Sequence, residues 1–260
     1  MDRTWTFSDL EFVALWADLG EEFLPHPLMF TSRTEWWDDH LENLARARES
    51  LRDRESELED LPELTYALRN PDLLVRVHGW DPRDIESGAG SVRGLGVRYG
   101  ELGYVLTQLP GETYRHSGGF TAKEFPAARL AEELVALLPD TAASRGRDIV
   151  LARPEHVEQF DYAFGMSPAH ETLEGGVIDR AADFLAAPAT SRGTMEVVQG
   201  HSRFGPRGIT RHQLEWRDVV DDGRYVITGY PSVAAPADRR RMVSTLQSHI
   251  AEVVLAMADE

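Results

Sequence analysis

The stretch that decides the fold reads Gly223-Arg224-Tyr225-Val226-Ile227-Thr228-Gly229-Tyr230-Pro231, and its pattern occurs twice. The earlier copy lies 121 positions back and reads Leu102-Gly103-Tyr104-Val105-Leu106-Thr107-Gln108-Leu109-Pro110, with tyrosine, valine, threonine and proline in register. Runs rich in β-branched and aromatic residues between turn residues are typical of strands. The sequence therefore predicts one strand pattern used at two places in the chain.

Other segments match at the same offset, which indicates an internal repeat. The matched segments are Val77 and Gly79 with Val198 and Gly200, and Leu28-Met29-Phe30 with Ile149-Val150-Leu151. We predict an α+β fold, internally duplicated as two αβαβββ halves with quasi-two-fold symmetry, built from an antiparallel sheet and helical bundles. The halves are residues 1–121 and 122–242, fused into one globular domain, and residues 243–260 belong to a closing helix.

In the first half, the capping-box spacing of Ser8 and Glu11 predicts a helix from about Asp9 to Leu19. A long amphipathic helix follows Thr34, and we expect one of Trp36 and Trp37 to pack in the core, with an interaction anchor as the alternative. Strands are predicted at residues 73–80, 92–99 and 103–109 as an antiparallel meander. The glycine-containing connection at residues 81–91 is expected to project as a mobile loop, and the stretch after the third strand is interpreted as a linker.

In the second half, the pattern predicts the same order of elements. The predicted elements are a helix near 127–138, a strand at 149–151, a helical region from Glu155, a helix at 177–185, strands near 195–200, 209–219 and 224–229, and the closing helix at about 238–258.

Composition excludes several classes of protein. The 260 residues are 42% hydrophobic and contain no cysteine, which excludes disulfides, thiolate catalysis and cysteine metal sites. No apolar run of membrane-spanning length and no secretory signal is present, so we expect a cytoplasmic protein. Lys123 is the only lysine in the sequence. The net charge is −17, and residues 1–140 carry 27 acidic residues against 14 basic ones. Such an acidic surface repels phosphate, so nucleic acid and anionic lipid are excluded as partners.

No motif predicts catalysis, a cofactor or a metal. Residues 200–205 resemble a nucleophile elbow around Ser202, but Phe204 replaces the second glycine and a strand follows instead of a helix. Residues 88–94 are glycine-rich but lack the lysine of a phosphate loop. The nine histidines have no metal-ligand spacing. We therefore predict a protein that is not an enzyme and binds no cofactor or metal.

A basic triplet, Arg239-Arg240-Arg241, falls in the first turn of the closing helix. Positive charge opposes the helix dipole at that position. The triplet either serves solubility alone or contacts acidic groups of a partner.

Several segments in this order resemble the EspG family, the chaperones of type VII secretion in actinobacteria. They are the Leu10-Glu11-Phe12 helix start, Ala67-Leu68-Arg69-Asn70-Pro71-Asp72 before the strand at 73–77, its echo Phe184-Leu185-Ala186-Ala187-Pro188, and the strand at 223–231. The resemblance covers nearly the whole chain. The arginine-rich composition, with a single lysine, is consistent with an actinobacterial source.

The resemblance implies a specificity chaperone that holds the tip of a PE–PPE helical heterodimer. It places the contact surface in the sheet and helical bundle of the C-terminal half and in the loop at 81–91. The implied partner-binding residues are Trp80, Asp81, Arg83, Ile85, Arg224, Tyr230, Arg239, Arg240 and Arg241. Alternatives are a hydrolase or other small-molecule enzyme with an unrecognised pocket, or an unrelated structural or interaction module. The sequence leaves the oligomeric state open between monomer and weak dimer.

Overall fold

A computed structural model describes residues 2–58, 60–151 and 179–260, and its framework is a ten-stranded sheet in which each pairing is antiparallel. The strand order is β1-β5-β4-β3-β2-β7-β8-β9-β10-β6. The strands are β1 (Arg3–Phe7), β2 (Leu73–Trp80), β3 (Val92–Tyr99), β4 (Leu102–Pro110), β5 (Ser117–Pro126), β6 (Ile149–Val150), β7 (Ala189–Gln199), β8 (Arg211–Val219), β9 (Gly223–Thr228) and β10 (Val233–Pro236).

Helices cover both faces of this sheet. They are α1 (Asp9–Asp18), α2 (Trp37–Asp53), α3 (Leu61–Arg69), α4 (Leu130–Val135), α5 at residues 179–186, and α6 (Arg239–Ala258). Among the described residues, no helix is long and apolar enough to cross a membrane. The α+β class predicted from the sequence is confirmed.

The strands lie in corresponding order on the two sides of the central β2–β7 pair. Moving outward, one side has β3, β4, β5 and β1, and the other side has β8, β9, β10 and β6. The strands that hold Tyr104 and Tyr225 therefore occupy matching positions.

The offset of 121 does not hold throughout the sheet, and internal duplication stays a prediction. Val77 lies in the core under α6, whereas its proposed match Val198 pairs with Leu74 of β2. Directly paired residues share a face of the sheet and neighbours along a strand alternate, so Val77 and Val198 lie on opposite faces.

Several predicted elements differ from the structure. Leu28-Met29-Phe30, expected to be a strand like its match at 149–151, is irregular. The edge strand β1, opposite β6 in the order, was not predicted from the sequence, and neither were β5 and β10. Residues 2–58 and 60–121 therefore do not follow the αβαβββ order predicted for the first half. The helix expected at 127–138 is a 3₁₀ turn at Ala127–Arg129 followed by α4 alone. The helical region from Glu155 and the start of the helix at 177 lie outside the described residues.

The prediction that Trp36 or Trp37 packs in the core is wrong. Their side chains are 67% and 69% exposed, and the fully buried residues of α2 are Leu44 and Ala47. Both of these residues lie beyond the first turn of α2, where the helix packs against Ala14 of α1.

The two faces of the sheet carry separate cores. On the α6 face, Val75 and Val77 of β2 and Met195 and Val197 of β7 pack with α4 and α6. On the α1 face, strands β3, β4 and β5 pack with α1 and α3 through residues such as Phe12. Each face of the first half is thus closed by helices from a different part of the chain.

Trp216 of β8 lies against the central strand pair on the α6 face. Gly79 and Gly193 are register partners there, and a Cβ on either would stand 2.3 Å from the indole ring. Trp216 is fully buried, and its Nε1 donates a hydrogen bond to Ser191 Oγ at 3.1 Å. The missing side chains make the space that the indole fills, so the junction of β2 and β7 depends on two glycines.

We expect Gly193→Ala to lower the free energy of unfolding by about 1–3 kcal/mol, because the added methyl group overpacks the indole and the backbone of β2. Urea denaturation followed by Trp fluorescence measures the change. Thr190→Ser on the same strand is the control and should stay within about 0.5 kcal/mol of wild type. Equal stability of Gly193→Ala and wild type would contradict the packing described here.

Candidate partner-binding surface

A strip of polar and aromatic side chains crosses the centre of the sheet on the α1 face. In β2 it consists of Arg76, His78 and Trp80, which alternate with the buried residues of the other face. Their register partners in β7 are Glu196, Thr194 and Arg192, in the same order. We call these six residues the central strip. Most of its side chains are half-buried, so it is a structured surface open to solvent along the line where the halves of the sheet meet.

One end of the central strip is a stacked pair. The Arg192 guanidinium lies 5.0 Å from the centre of the Trp80 ring, and the centre of the His78 ring lies 5.4 Å from the centre of the Trp80 ring. A cation over an indole is attracted by the ring quadrupole. Tryptophan and arginine are also the residue types most enriched at the energetic centres of protein interfaces. The end of β2 therefore carries a preformed pair of the residue types that are enriched at interface centres.

The other end of the central strip is an ion pair. Arg76 Nη1 lies 2.8 Å from Glu196 Oε2, and Arg211 of β8 approaches the same carboxylate at 3.7 Å. These groups remain partly exposed, so the pair contributes little to stability by itself. The ion pair makes this end of the central strip charged, whereas the opposite end is aromatic.

Histidine in this surface is held neutral at pH 7. Burial, together with the positive charge of Arg93 and the neighbouring His26, lowers the pKa of His78 to about 4. The pKa of His26 is also lowered, mainly by burial and then by Arg76, and its ring meets His78 at 5.8 Å. The middle of the strip is therefore uncharged near neutral pH.

The depressed pKa of His78 predicts a pH dependence of stability. Between pH 6.5 and 4 the unfolded chain binds a proton at this histidine and the folded chain does not, so stability falls as the pH is lowered through that window. His78→Gln should remove part of this slope. Thermal unfolding at several pH values from 7 to 4.5 measures it, and parallel profiles for the two proteins would contradict the assignment.

The loop between β2 and β3 is fixed, which corrects the expectation of a projecting mobile loop. The backbone N–H of Tyr114 donates to Glu86 O at 3.0 Å, and Ser87 forms a bridge with Thr113. A Cβ on Gly88 would lie 2.0 Å from Gly111 O, so only glycine permits this approach. The loop is held against the β4–β5 connection.

Three predicted site residues lie in this held loop. Arg83 donates to both carboxylate oxygens of Asp81, at 2.9 and 2.6 Å, and this hydrogen bonding lowers the pKa of Asp81. Ile85 is 59% exposed at the tip. The loop that follows Trp80 in the chain therefore presents one exposed aliphatic side chain.

Arg224 does not belong to the surface, and its predicted role in partner binding is corrected. Its side chain is buried, with Nε and Nη2 each 2.7 Å from an oxygen of Asp218, and Nη2 also donates to Pro139 O at 2.7 Å. Thr141 Oγ1 donates to the same carboxylate at 3.0 Å. This arginine is an internal ion pair that ties β8 and β9 to the segment after α4.

We expect Asp218→Asn to lower the free energy of unfolding by about 3–5 kcal/mol, because it leaves the Arg224 charge buried without a counter-charge. Asp221→Asn makes the same chemical change at an exposed turn residue of positive φ, which asparagine tolerates. This control should change stability by no more than about 0.5 kcal/mol. Urea denaturation compares the two variants, and equal effects would contradict a structural role for the pair.

The remaining predicted residues are spread over the molecule. Arg239, Arg240 and Arg241 are exposed in the first turn of α6, where the Arg241 N–H donates to the Asp238 cap. They lie at the same end of the sheet as Trp80. The chain enters α6 at that end, where the Ala237 N–H donates to Arg224 O at the start of β9. Their helix packs on the α6 face, however, whereas Trp80 points to the α1 face. Tyr230, 84% exposed, lies in the β9–β10 turn toward the opposite end.

The structure also shows why Ser202 is not a nucleophile in an elbow. It lies in a connection between two strands, and its Oγ donates to Glu260 Oε1 at 2.6 Å while accepting the Phe204 N–H. Its partner is a carboxylate at the end of α6 and not a histidine. Within residues 2–58, 60–151 and 179–260, no group of three or more side chains is arranged to hold a metal ion.

Comparison with known proteins defines the class to which this helix-covered sheet belongs. A model of the EspG family matches residues 8–248, and the chain belongs to that family. The fold is similar to that of the Mycobacterium tuberculosis type VII secretion system chaperone EspG5, solved in complex with the PE25-PPE41 dimer. The identity is 15%, the TM-score is 0.57, and the match covers 96% of each chain. No curated protein matches the sequence.

Family membership confirms two predictions made from the sequence. The resemblance to the EspG family is correct, and because this is a chaperone family the chain is not an enzyme. Arg192 and the Arg76–Glu196 pair of the central strip were not predicted from the sequence. Oppositely charged residues at the centres of two strands can indicate that they are cross-strand neighbours. This indication could have predicted the Arg76–Glu196 pair only if the pairing of β2 with β7 had been known.

Proposed function

We propose that this chain is a cytoplasmic chaperone of type VII secretion that binds a PE–PPE-type helical heterodimer one to one and keeps it soluble for export. The observation that carries the proposal is the family match over residues 8–248. The similar fold of EspG5, which was solved with a PE–PPE dimer bound, adds support. A secreted helical pair with an exposed apolar tip needs that tip covered before export.

The central strip and the loop at its aromatic end are the surface that we assign to this contact. Trp80 and Arg192 supply a preorganised anchor, and Ile85 supplies an exposed aliphatic side chain in the loop that follows β2. A rigid surface loses little conformational entropy on binding, so more of the contact energy appears as affinity. The backbone bonds that hold the loop between β2 and β3 are therefore a favourable feature of a binding site.

Charge favours a partner whose contact region includes basic groups. The net charge is −17, and the excess lies in the first half of the chain, next to the loop that carries Asp81 and Glu86. Complementary charge increases the association rate and disfavours wrong partners. The arginines at the start of α6 form a second region of the proposed contact, of opposite sign, which suits an acidic group at the edge of the partner's tip.

The test is co-expression of the chain with each PE–PPE pair of its source, followed by size-exclusion chromatography and titration calorimetry. We expect one pair to co-elute in a complex that buries on the order of 1,200–2,000 Å². Substituting both Trp80→Ala and Arg192→Ala should weaken binding by at least about tenfold, because the anchor is lost.

Two further variants separate the function from the location of the site. Phe204→Ala changes an exposed aromatic in the β7–β8 connection and is the matched control, expected to bind like wild type. A triple variant with Arg239→Glu, Arg240→Glu and Arg241→Glu tests the start of α6. If no pair co-elutes with wild type, the chaperone proposal fails; if a pair binds the anchor variant as well as wild type, only the assigned surface is wrong.

A further inference from the structure

A patch of exposed aromatic and aliphatic side chains surrounds the start of α2. Trp36 and Trp37 are 67% and 69% exposed, and Leu41 is 46% exposed. Trp37 and Leu41 are one helical turn apart, so they lie on one face of α2. The centre of the His40 ring lies 5.4 Å from that of the Trp37 ring and 6.0 Å from that of the Phe30 ring. We call Trp36, Trp37 and Leu41 the aromatic patch.

The fold does not need the aromatic patch. The buried residues of α2 are Leu44 and Ala47, which lie beyond the patch along the helix. Neither indole has its ring against the core, although full burial of a large apolar side chain contributes about 1.5–3 kcal/mol. Two adjacent tryptophans left in water are typical of a surface that another molecule covers.

The aromatic patch rests on a rigid support. Arg33, three residues before Trp36, donates to both oxygens of Glu112 at 2.9 and 2.8 Å and to Ser117 O at 2.7 Å, and it also contacts Asp9. These hydrogen bonds raise the pKa of Arg33 further above its ordinary value. The segment that enters α2 is therefore attached to both α1 and the β4–β5 connection, and the indoles are held in place for binding.

The rim of the aromatic patch is acidic. Glu35, Asp38 and Asp39 are exposed beside the indoles, and within the part of the chain that the structure describes none of them forms a salt bridge. The nearest arginine in sequence, Arg33, is already bound to Glu112 and Asp9. Glu42 meets Arg46 only at 3.8 Å, with both side chains largely exposed. Negative charge at this site is thus available to a cationic ligand.

We propose that the aromatic patch is a docking site for a basic amphipathic segment of a protein partner. Its apolar side chains would cover Trp36, Trp37 and Leu41, while its lysines or arginines face the acidic rim and the indole rings. Arginine and lysine gain both from the carboxylates and from the faces of the indoles. The site is chemically distinct from the central strip and does not rest on the proposed chaperone function.

Charge disfavours the other occupants of such a patch. A symmetric dimer through this face would set the acidic rims of two copies against each other, because a two-fold interface uses the same patch on both subunits. An anionic membrane would meet the same repulsion. A cationic peptide segment is the occupant that matches both the apolar surface and the charge.

The test uses a fluorescein-labelled synthetic peptide of about 18 residues, with leucines at helical i, i+3, i+4 spacing on one face and arginines on the other. Its twin carries glutamate at each arginine position. We expect the basic peptide to raise its fluorescence anisotropy saturably with the full chain, and the acidic twin to show no binding. Replacing both tryptophans, Trp36→Ser and Trp37→Ser, should weaken binding by at least about tenfold.

A second variant keeps the test independent of the indoles. Asp38→Asn with Asp39→Asn should weaken binding severalfold and flatten its dependence on salt concentration, because exposed charges are screened. Phe204→Ser, which changes an exposed aromatic outside the patch, should bind like wild type, and thermal unfolding checks that each variant is folded. The proposal is overturned if the basic peptide does not bind, if it binds the double serine variant equally well, or if the acidic twin binds as tightly. It is equally overturned if sedimentation shows wild type to be a dimer that the double serine variant makes monomeric.

Discussion

The antiparallel pairing of β2 with β7 is the interaction on which the rest of this structure depends. Eight register pairs, from Leu73 with Gln199 to Trp80 with Arg192, join a sheet half from the first part of the chain to one from the second. Trp216 fits against this pairing because Gly79 and Gly193 lie opposite each other. A large side chain placed over two glycines gives the junction one favoured register, since a shift along either strand would put a Cβ where the indole lies.

The same pairing explains why a surface remains open at the centre of the sheet. On the α6 face, one continuous core, closed by α4 and α6, spans the junction and buries Val75, Val77, Met195 and Val197. On the α1 face, the helices of the first half cover β3, β4 and β5, and the central strip at β2 and β7 lies beyond that core. The polar members of the strip pair with each other across the two strands, so the surface can remain partly hydrated without a stability penalty from unpaired charge.

The sequence was sufficient for those features that depend on local patterning. The capping box at Ser8 and Glu11, the strands β2, β3 and β4 and the long C-terminal helix follow from residue spacing, and the structure has them close to the predicted bounds. The strand predicted near 195–200 begins earlier, at Ala189 of β7. The edge strand β1 was missed because its five residues alternate only Trp5 and Phe7 inward, too short a pattern to register. The strand β5 was missed because it begins with Ser117-Gly118-Gly119, which indicates a linker when read alone.

The binding surfaces were predicted less well than the fold, because exposure and pairing are tertiary properties. Arg224 was assigned to the surface because the family resemblance placed the partner contact in that region, but Asp218 and the Pro139 carbonyl bind it inside the protein. One of Trp36 and Trp37 was expected to pack in the core, but the buried residues of α2 begin only at Leu44. Arg192 could not be associated with Trp80 before β7 was known to pair with β2, since 112 positions separate them in the sequence.

The position of β2 and β7 at the centre also has a consequence for biosynthesis. The strands β1 to β5 have all left the ribosome before Ala189 begins β7, so a first half that folds early has β2 as an open edge until the second half is made. An unpaired edge rich in leucine and valine can accept a strand from another nascent chain. Arg76 and His78 alternate with those apolar residues, so one side of the open edge is charged and polar. Such side chains disfavour pairing between two unfinished copies. The sheet is completed when β7 pairs with β2 and places Glu196 opposite Arg76.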